Sequence, residues 1–189
     1  MKKYSFSEDK MVQLFPVFSD IGDAQLKKKT YEVWKDMFER SQWDSLEDIP
    51  FADDIRDRSL VEHINASTEA ALATARVFEQ IHNVPYETDI IIVLGLLHDC
   101  SKIVETEPSE DGGIKKSPIG NYIQHGAYGA MVASEHGMPV EIAHLIMTHT
   151  HLFSVMRPMV YLKEAHLFCS IDFCDADVMN IASGKDSIL

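Results

Sequence analysis

The stretch VLGLLHDCSK, Val93–Lys102, decides how the chain reads. It extends the apolar run Ile90–Ile91–Ile92 with no turn signal between them, which predicts one buried helix from about Asp89 to Ile103 rather than a strand. That helix carries His98 beside Asp99. Both groups are costly to bury unless something pairs with them. A metal ion, held jointly by this pair and by histidines and an aspartate far along the chain, answers the cost.

The segments around it also read as helices. Apolar residues recur at helical spacing from Asp23 to Ser41, and the alanines at 66, 70, 71, 73 and 75 make Ser59 to about His82 helical. Further helices are expected over about Ser7–Phe15, Asn121–His136, Val140–His149 and Met159–Ile181, with Gly137 and Pro139 marking the break before Val140. Thr88 or Asp89 is a candidate cap for the helix carrying the pair. Ser41–Asp54 reads as a connection, and Glu105–Gly120, rich in Pro, Gly and charge, as a loop able to cover a site. No segment alternates in a way that demands a sheet. The fold class is therefore all-α.

Composition narrows the function. The 189 residues suit one domain with a real core. With 17 basic against 30 acidic residues, the formal charge is −13. Such a chain repels a phosphate backbone, so a nucleic-acid polymer is not an expected partner. A small anionic substrate stays possible, because a bound cation reverses the local sign. No run of about 20 apolar residues is present, so no membrane association is expected. The three cysteines, Cys100, Cys169 and Cys174, make no disulfide framework, and the expected location is the cytoplasm.

Nine histidines invite a metal reading, and each has a plainer alternative. His63 could be an exposed helical residue. His125 could be incidental to the close packing that Gly126, Ala127, Gly129 and Ala130 permit. His144 and His149, five apart, do not share a helix face, and His144 sits within the amphipathic pattern as a structural residue. His149 and His151 lie at a helix end, where a ligand is reached more easily. His82, His136 and His166 read as loop, helix terminus and partly exposed helix. Asp172, between Ile171 and Phe173, wants a partner, whereas Asp175 and Asp177 read as an exposed acidic face.

The ordered series His63, His98–Asp99, His125, His149, Asp172 resembles the HD-domain superfamily of metal-dependent phosphohydrolases, over about Ser59 to Asp177. LLHDCSK is similar to the family signature, and QHGAYGA and MTHTH to its later histidine motifs. The resemblance implies that residues 59–189 form the metal-binding core; residues 1–58 match no motif of the family and read as a helical extension packed on it. It implies one ion on His63, His98, Asp99 and Asp172, and a second on Asp99, His125 and His149, with Asp99 as the bridge. His149 and His151 could exchange roles as ligand and substrate contact. Lys102 is either a phosphate contact or a surface lysine. Arg157 and Lys115 or Lys116 lie in loops and could meet an anionic ligand, the plainer reading of the two lysines being solvated loop residues.

The implied activity is hydrolysis of a phosphate ester of a small molecule, a nucleotide foremost. Asp99, Lys102 and His151 would be catalytic, and Lys102, His151 and Arg157 would contact substrate. A metal pair lowers the pKa of a water toward neutrality and stabilises charge on phosphate oxygens. Nitrogen and oxygen ligands without thiolate suit one or two divalent ions of Fe, Mn, Co, Ni or Zn. Two other classes share the scaffold: a di-iron oxygenase cleaving a C–C or C–P bond, and a non-catalytic nucleotide-binding module. The oligomeric state is left open.

Overall fold

Seven consecutive residues, Ile91–Leu97, are all buried, and a helix apolar on every side belongs at the centre of the molecule. The computed structural model describes residues 4–52, 55–110, 113–150 and 162–187. It contains helices α1 (Glu8–Leu14), α2 (Ala24–Arg40), α3 (Leu60–His82), α4 (Thr88–Leu97), α5 (Lys102–Glu105), α6 (His125–Glu135), α7 (Val140–Thr148) and α8 (Lys163–Ala182). Short 3-10 turns cover Pro16–Asp20 and Leu46–Asp48. Helix α4 is the strut, with α2, α3, α7 and α8 packed round it.

Among the described residues the fold is all-α apart from two small antiparallel hairpins. Strands β1 (Pro50–Ala52) and β2 (Ile55–Ser59) pair, as do β3 (Thr106–Pro108) and β4 (Ile114–Lys116). Strand β1 lies within the expected connection Ser41–Asp54 and β2 just after it, and the β3–β4 hairpin lies within the expected loop Glu105–Gly120. The strands are three to five residues long, too short to show an alternation pattern.

Local signals set the helix ends. Ser59 and Glu62 form a capping box that starts α3, and Asn83 ends it in the left-handed conformation at φ 52°. Asp23 caps α2 through the amides of Gln25 and Leu26. Neither Thr88 nor Asp89 caps α4: the Asp89 carboxylate instead accepts from the amides of Gly22 and Asp23, tying the chain before α2 to α4.

The predicted helix from Asp89 to Ile103 is interrupted. Helix α4 stops at Leu97, four residues turn, and α5 begins at Lys102. The His98 ring contributes to the break, because Nδ1 lies 2.8 Å from the Gly95 carbonyl that a continuing helix would offer to the Asp99 amide. The helix expected from Asn121 starts only at His125, with Gln124 as cap.

The segment before Ser59 is stapled to the rest. Trp34 Nε1 donates to the Leu96 carbonyl at 2.9 Å, and Trp43 Nε1 to that of Thr106 at 2.9 Å. One apolar cluster runs from Phe6 through Trp34, Ile64 and Leu94 to Phe168. Small residues set the helix spacings. A Cβ on Gly126 would stand 2.9 Å from the Ile146 carbonyl oxygen, so the small-residue run of α6 is there to admit α7.

At the α3–α4 crossing, a Cβ on Gly95 would lie 2.8 Å from both Cβ and Cγ2 of Thr68. Thr68 is fully buried, so neither helix can yield cheaply. Gly95→Ala should cost about 1–3 kcal/mol through overpacking, despite alanine's better helix propensity. Thermal unfolding followed by circular dichroism checks this, and an unchanged or higher midpoint would refute so close a crossing.

Candidate metal centre

Five segments deliver the site. His63 stands one turn into α3, and His98 and Asp99 occupy the turn after α4. His125 opens α6, His149 follows the last residue of α7, and Asp172 lies midway along α8. All six predicted metal-binding residues are brought together around Asp99.

On one side, His63 Nε2 is 3.2 Å from His98 Nε2, 3.4 Å from Asp99 Oδ2 and 3.2 Å from Asp172 Oδ1. His98 Nε2 is 3.5 Å from Asp99 Oδ2 and 3.3 Å from Asp172 Oδ1. On the other side, Asp99 Oδ1 is 3.1 Å from His125 Nε2 and 3.4 Å from His149 Nε2. The two oxygens of one carboxylate are thus divided between two sets of imidazoles.

The far nitrogens of the rings are already engaged. His98 Nδ1 donates to the Gly95 carbonyl at 2.8 Å, and His149 Nδ1 to the Ile146 carbonyl at 2.6 Å. His63 Nδ1 lies 2.7 Å from Asp175 Oδ2. A neutral imidazole with its proton on Nδ1 turns a bare lone pair out at Nε2. Lone pairs facing one another and two carboxylates repel unless a cation lies between. Ligands bound at about 2.0–2.2 Å and separated by 90–109° are about 2.8–3.6 Å from each other. The separations of 3.1–3.5 Å among the Nε2 atoms and the Asp99 and Asp172 oxygens fall in that window, so these residues could hold a metal pair. Asp99 Oδ1, buried and without a hydrogen-bond donor, gives the same indication.

Electrostatics agree. Burial disfavours a charged His63 ring, yet Asp172, Asp175 and Asp99 outweigh it and lift the ring's pKa to about 10. The cluster demands positive charge, and a proton is the least of the cations that could supply it. Burial also opposes charge on Asp99, but Lys102 and His98 hold its carboxyl well below the usual carboxylate range. Burial pushes His149 the other way, below the ordinary histidine value, which favours the neutral ligand form.

Lys102 does not end a helix, as the sequence suggested, but opens α5. Its Nζ reaches Asp99 Oδ2 at 2.6 Å and stands 4.8 Å from the centre of the Phe51 ring. Beside them lies a cleft of about 320 Å³ lined by His63, Asp99, Lys102, His125, His149 and Asp172. His151 and Arg157 fall outside the described residues. His144, His82 and His166 take no part, and His136 pairs with Asp36 at 2.9 Å on another face.

Three contributors escaped the sequence reading. Asp175 is not part of an exposed acidic face: it stands behind His63 and steers that ring. Its signal was the i, i+3 spacing from Asp172 on α8, which puts both carboxylates on one face. Asp177 is buried and accepts from the Ser187 hydroxyl. Glu105 lies 3.4 Å from His125 Nδ1, and Phe51 packs on His63 with ring centres 4.6 Å apart. Nothing local in the sequence marks these last two.

A model of the HD domain matches residues 67–177, more than half of the chain. A dihydroneopterin 2',3'-cyclic phosphate phosphodiesterase of Methanocaldococcus jannaschii is 26% identical over 180 residues, covering 91% of this chain and 71% of that protein. No solved structure matches significantly.

Removing a carboxylate behind a metal-bound histidine typically weakens metal binding 10–100-fold. Asp175→Ala should do so here for Mn²⁺ or Co²⁺ measured by competition with a chromophoric chelator, and Asp175→Asn, which keeps an acceptor, should lose less. Unchanged affinity in Asp175→Ala would remove Asp175 from the site.

Proposed function

The chain belongs to the HD-domain family, and from that membership we propose that this metal-dependent phosphohydrolase opens a small cyclic phosphodiester. The observation that carries the reading is the division of Asp99: one oxygen toward His63 and His98, the other toward His125 and His149. Bridging a cation pair is what such a carboxylate suits, and the relative's name supplies the class of ester.

Two divalent ions, when bound, supply Lewis acidity and a water of lowered pKa. The residues do the rest. His63, His98 and Asp172 would hold one ion and His125 and His149 the other, with Asp99 between the two groups. The backbone carbonyls of Gly95 and Ile146 and the Asp175 carboxylate fix the rings, so no reorganisation is needed as charge develops. Lys102, already aimed at Asp99, lines the cleft where a non-bridging phosphate oxygen would sit. Water adds to phosphorus, one P–O bond of the ring breaks, and the released alkoxide takes a proton, leaving a monoester. His151 and Arg157 remain candidates for contacts to that product.

The metal is a transition ion by donor type, with Mn, Co, Ni, Fe and Zn all compatible. The full chain loaded with Mn²⁺ or Co²⁺ should hydrolyse nucleoside 2',3'-cyclic phosphates or methyl p-nitrophenyl phosphate. His98→Ala and Asp99→Ala should each lower kcat/KM more than 100-fold. Two equivalents of iron with oxygen uptake, and no ester turnover, would replace this reading with the di-iron oxygenase. A ligand-induced rise in melting temperature with neither activity would replace it with the binding module.

A further inference from the structure

The metal cleft has a neighbour larger than itself. A cavity of about 520 Å³ shares Phe51, Lys102 and His125 with it, so a molecule whose phosphorus rests at the metals has adjoining space for the rest of its body. The size falls within the range of small-molecule sites, about 300–1,000 Å³. One wall is apolar and comes from a single short segment, Ile49, Pro50, Phe51 and Ala52. The polar lining includes Glu105 and Lys116, joined by an ion pair of 2.8 Å. β1 precedes the part of the chain matched by the family model, and β4 stands on the hairpin after α5. The cavity is therefore built largely from elements other than the metal-holding helices.

We propose that this cavity is the subsite for the organic half of the substrate, and that it takes a flat nitrogen heterocycle presenting a 2-amino-4-oxopyrimidine edge. The inference rests on the phosphodiesterase reading for the identity of the other half. Its chemical ground is the pairing of one anion and one cation, Glu105 and Lys116, in the polar lining. Such an edge displays two adjacent N–H donors and then a carbonyl oxygen. The Glu105 carboxylate accepts the two donors, since its four lone-pair sites are not exhausted by Lys116 and His125. The Lys116 ammonium has three donors and needs one for Glu105, which leaves others for the carbonyl. The apolar segment Ile49–Ala52 covers a ring face. An adenine edge places a ring lone pair where Glu105 requires a donor, and a site built for hydrogen bonds rejects a ligand that cannot make them.

The test separates binding from turnover. Guanosine 3'-monophosphate and adenosine 3'-monophosphate are titrated calorimetrically into the full chain loaded with Mn²⁺, and the corresponding 2',3'-cyclic phosphates are assayed beside methyl p-nitrophenyl phosphate. The expected result is at least tenfold tighter binding of the guanosine compound and a matching ratio in kcat/KM. Lys116→Met should bring both ratios toward one, and Ala52→Phe, which fills the cavity, should cost the nucleotides more than the p-nitrophenyl ester. Metal content and thermal midpoint are measured on each variant, and the wild-type ratios stand without them. Turnover with no preference between the purines overturns the subsite and leaves the phosphodiesterase reading intact. A tenfold binding preference without any turnover supports the subsite and overturns that reading.

Discussion

A carboxylate only 2% exposed, seated where apolar helices meet, cannot keep its charge without cations around it. Asp99 is that group, and the architecture can be traced outward from its needs. Lys102 supplies one positive charge at 2.6 Å, but it reaches Oδ2 alone. Oδ1 faces two imidazole nitrogens and no donor. The structure tolerates an orphaned, buried oxygen at this point, whereas such atoms are satisfied almost everywhere else in folded proteins. The tolerance makes sense if the position belongs to a metal ion and the polypeptide only prepares it.

That preparation explains features of the fold that otherwise look unrelated. Helix α4 ends just before His98, although its apolar run could have continued, because the His98 ring takes the Gly95 carbonyl. The freed backbone then turns through Asp99 and aims Lys102 back at it. The Leu96 carbonyl, also released by the helix end, receives Trp34 Nε1 from α2. A helix terminus leaves several carbonyls without partners, and here an indole and an imidazole each take one. The segment before Ser59 thus secures the turn that carries His98 and Asp99 as well as covering the core.

Much of this was legible in the sequence, for a reason that can be stated. Metal ligands must be particular residue types, and helices hold them at spacings a linear reading can see, so His63, His98, Asp99, His125, His149 and Asp172 stood out as an ordered series. The all-α class followed from long apolar periodicities that require no distant information. Residues that act through another residue were harder. Asp175 looked like one more charge on an acidic stretch, because its role depends on the angle at which α8 meets α3. Glu105 lay in a tract dominated by turn formers, and its part depends on a three-residue strand whose pairing partner supplies Lys116. The break after Leu97 was hidden because a side chain, rather than a Gly or Pro, competes for the helical hydrogen bond.

The family match begins at residue 67, yet His63 and Phe51 lie before it and both belong to the cleft. The boundary of sequence similarity is therefore not the boundary of the site. A carboxylate-bridged metal pair constrains its ligands to a fraction of an ångström, which keeps them recognisable across distant relatives. Nothing comparable constrains what surrounds the body of the substrate. Walls made by short hairpins can change length and composition more readily than the helices that meet at Asp99. In the proposed arrangement the chemistry falls to residues of α3, α6, α7, α8 and the turn after α4, and recognition to β1 and the β3–β4 hairpin.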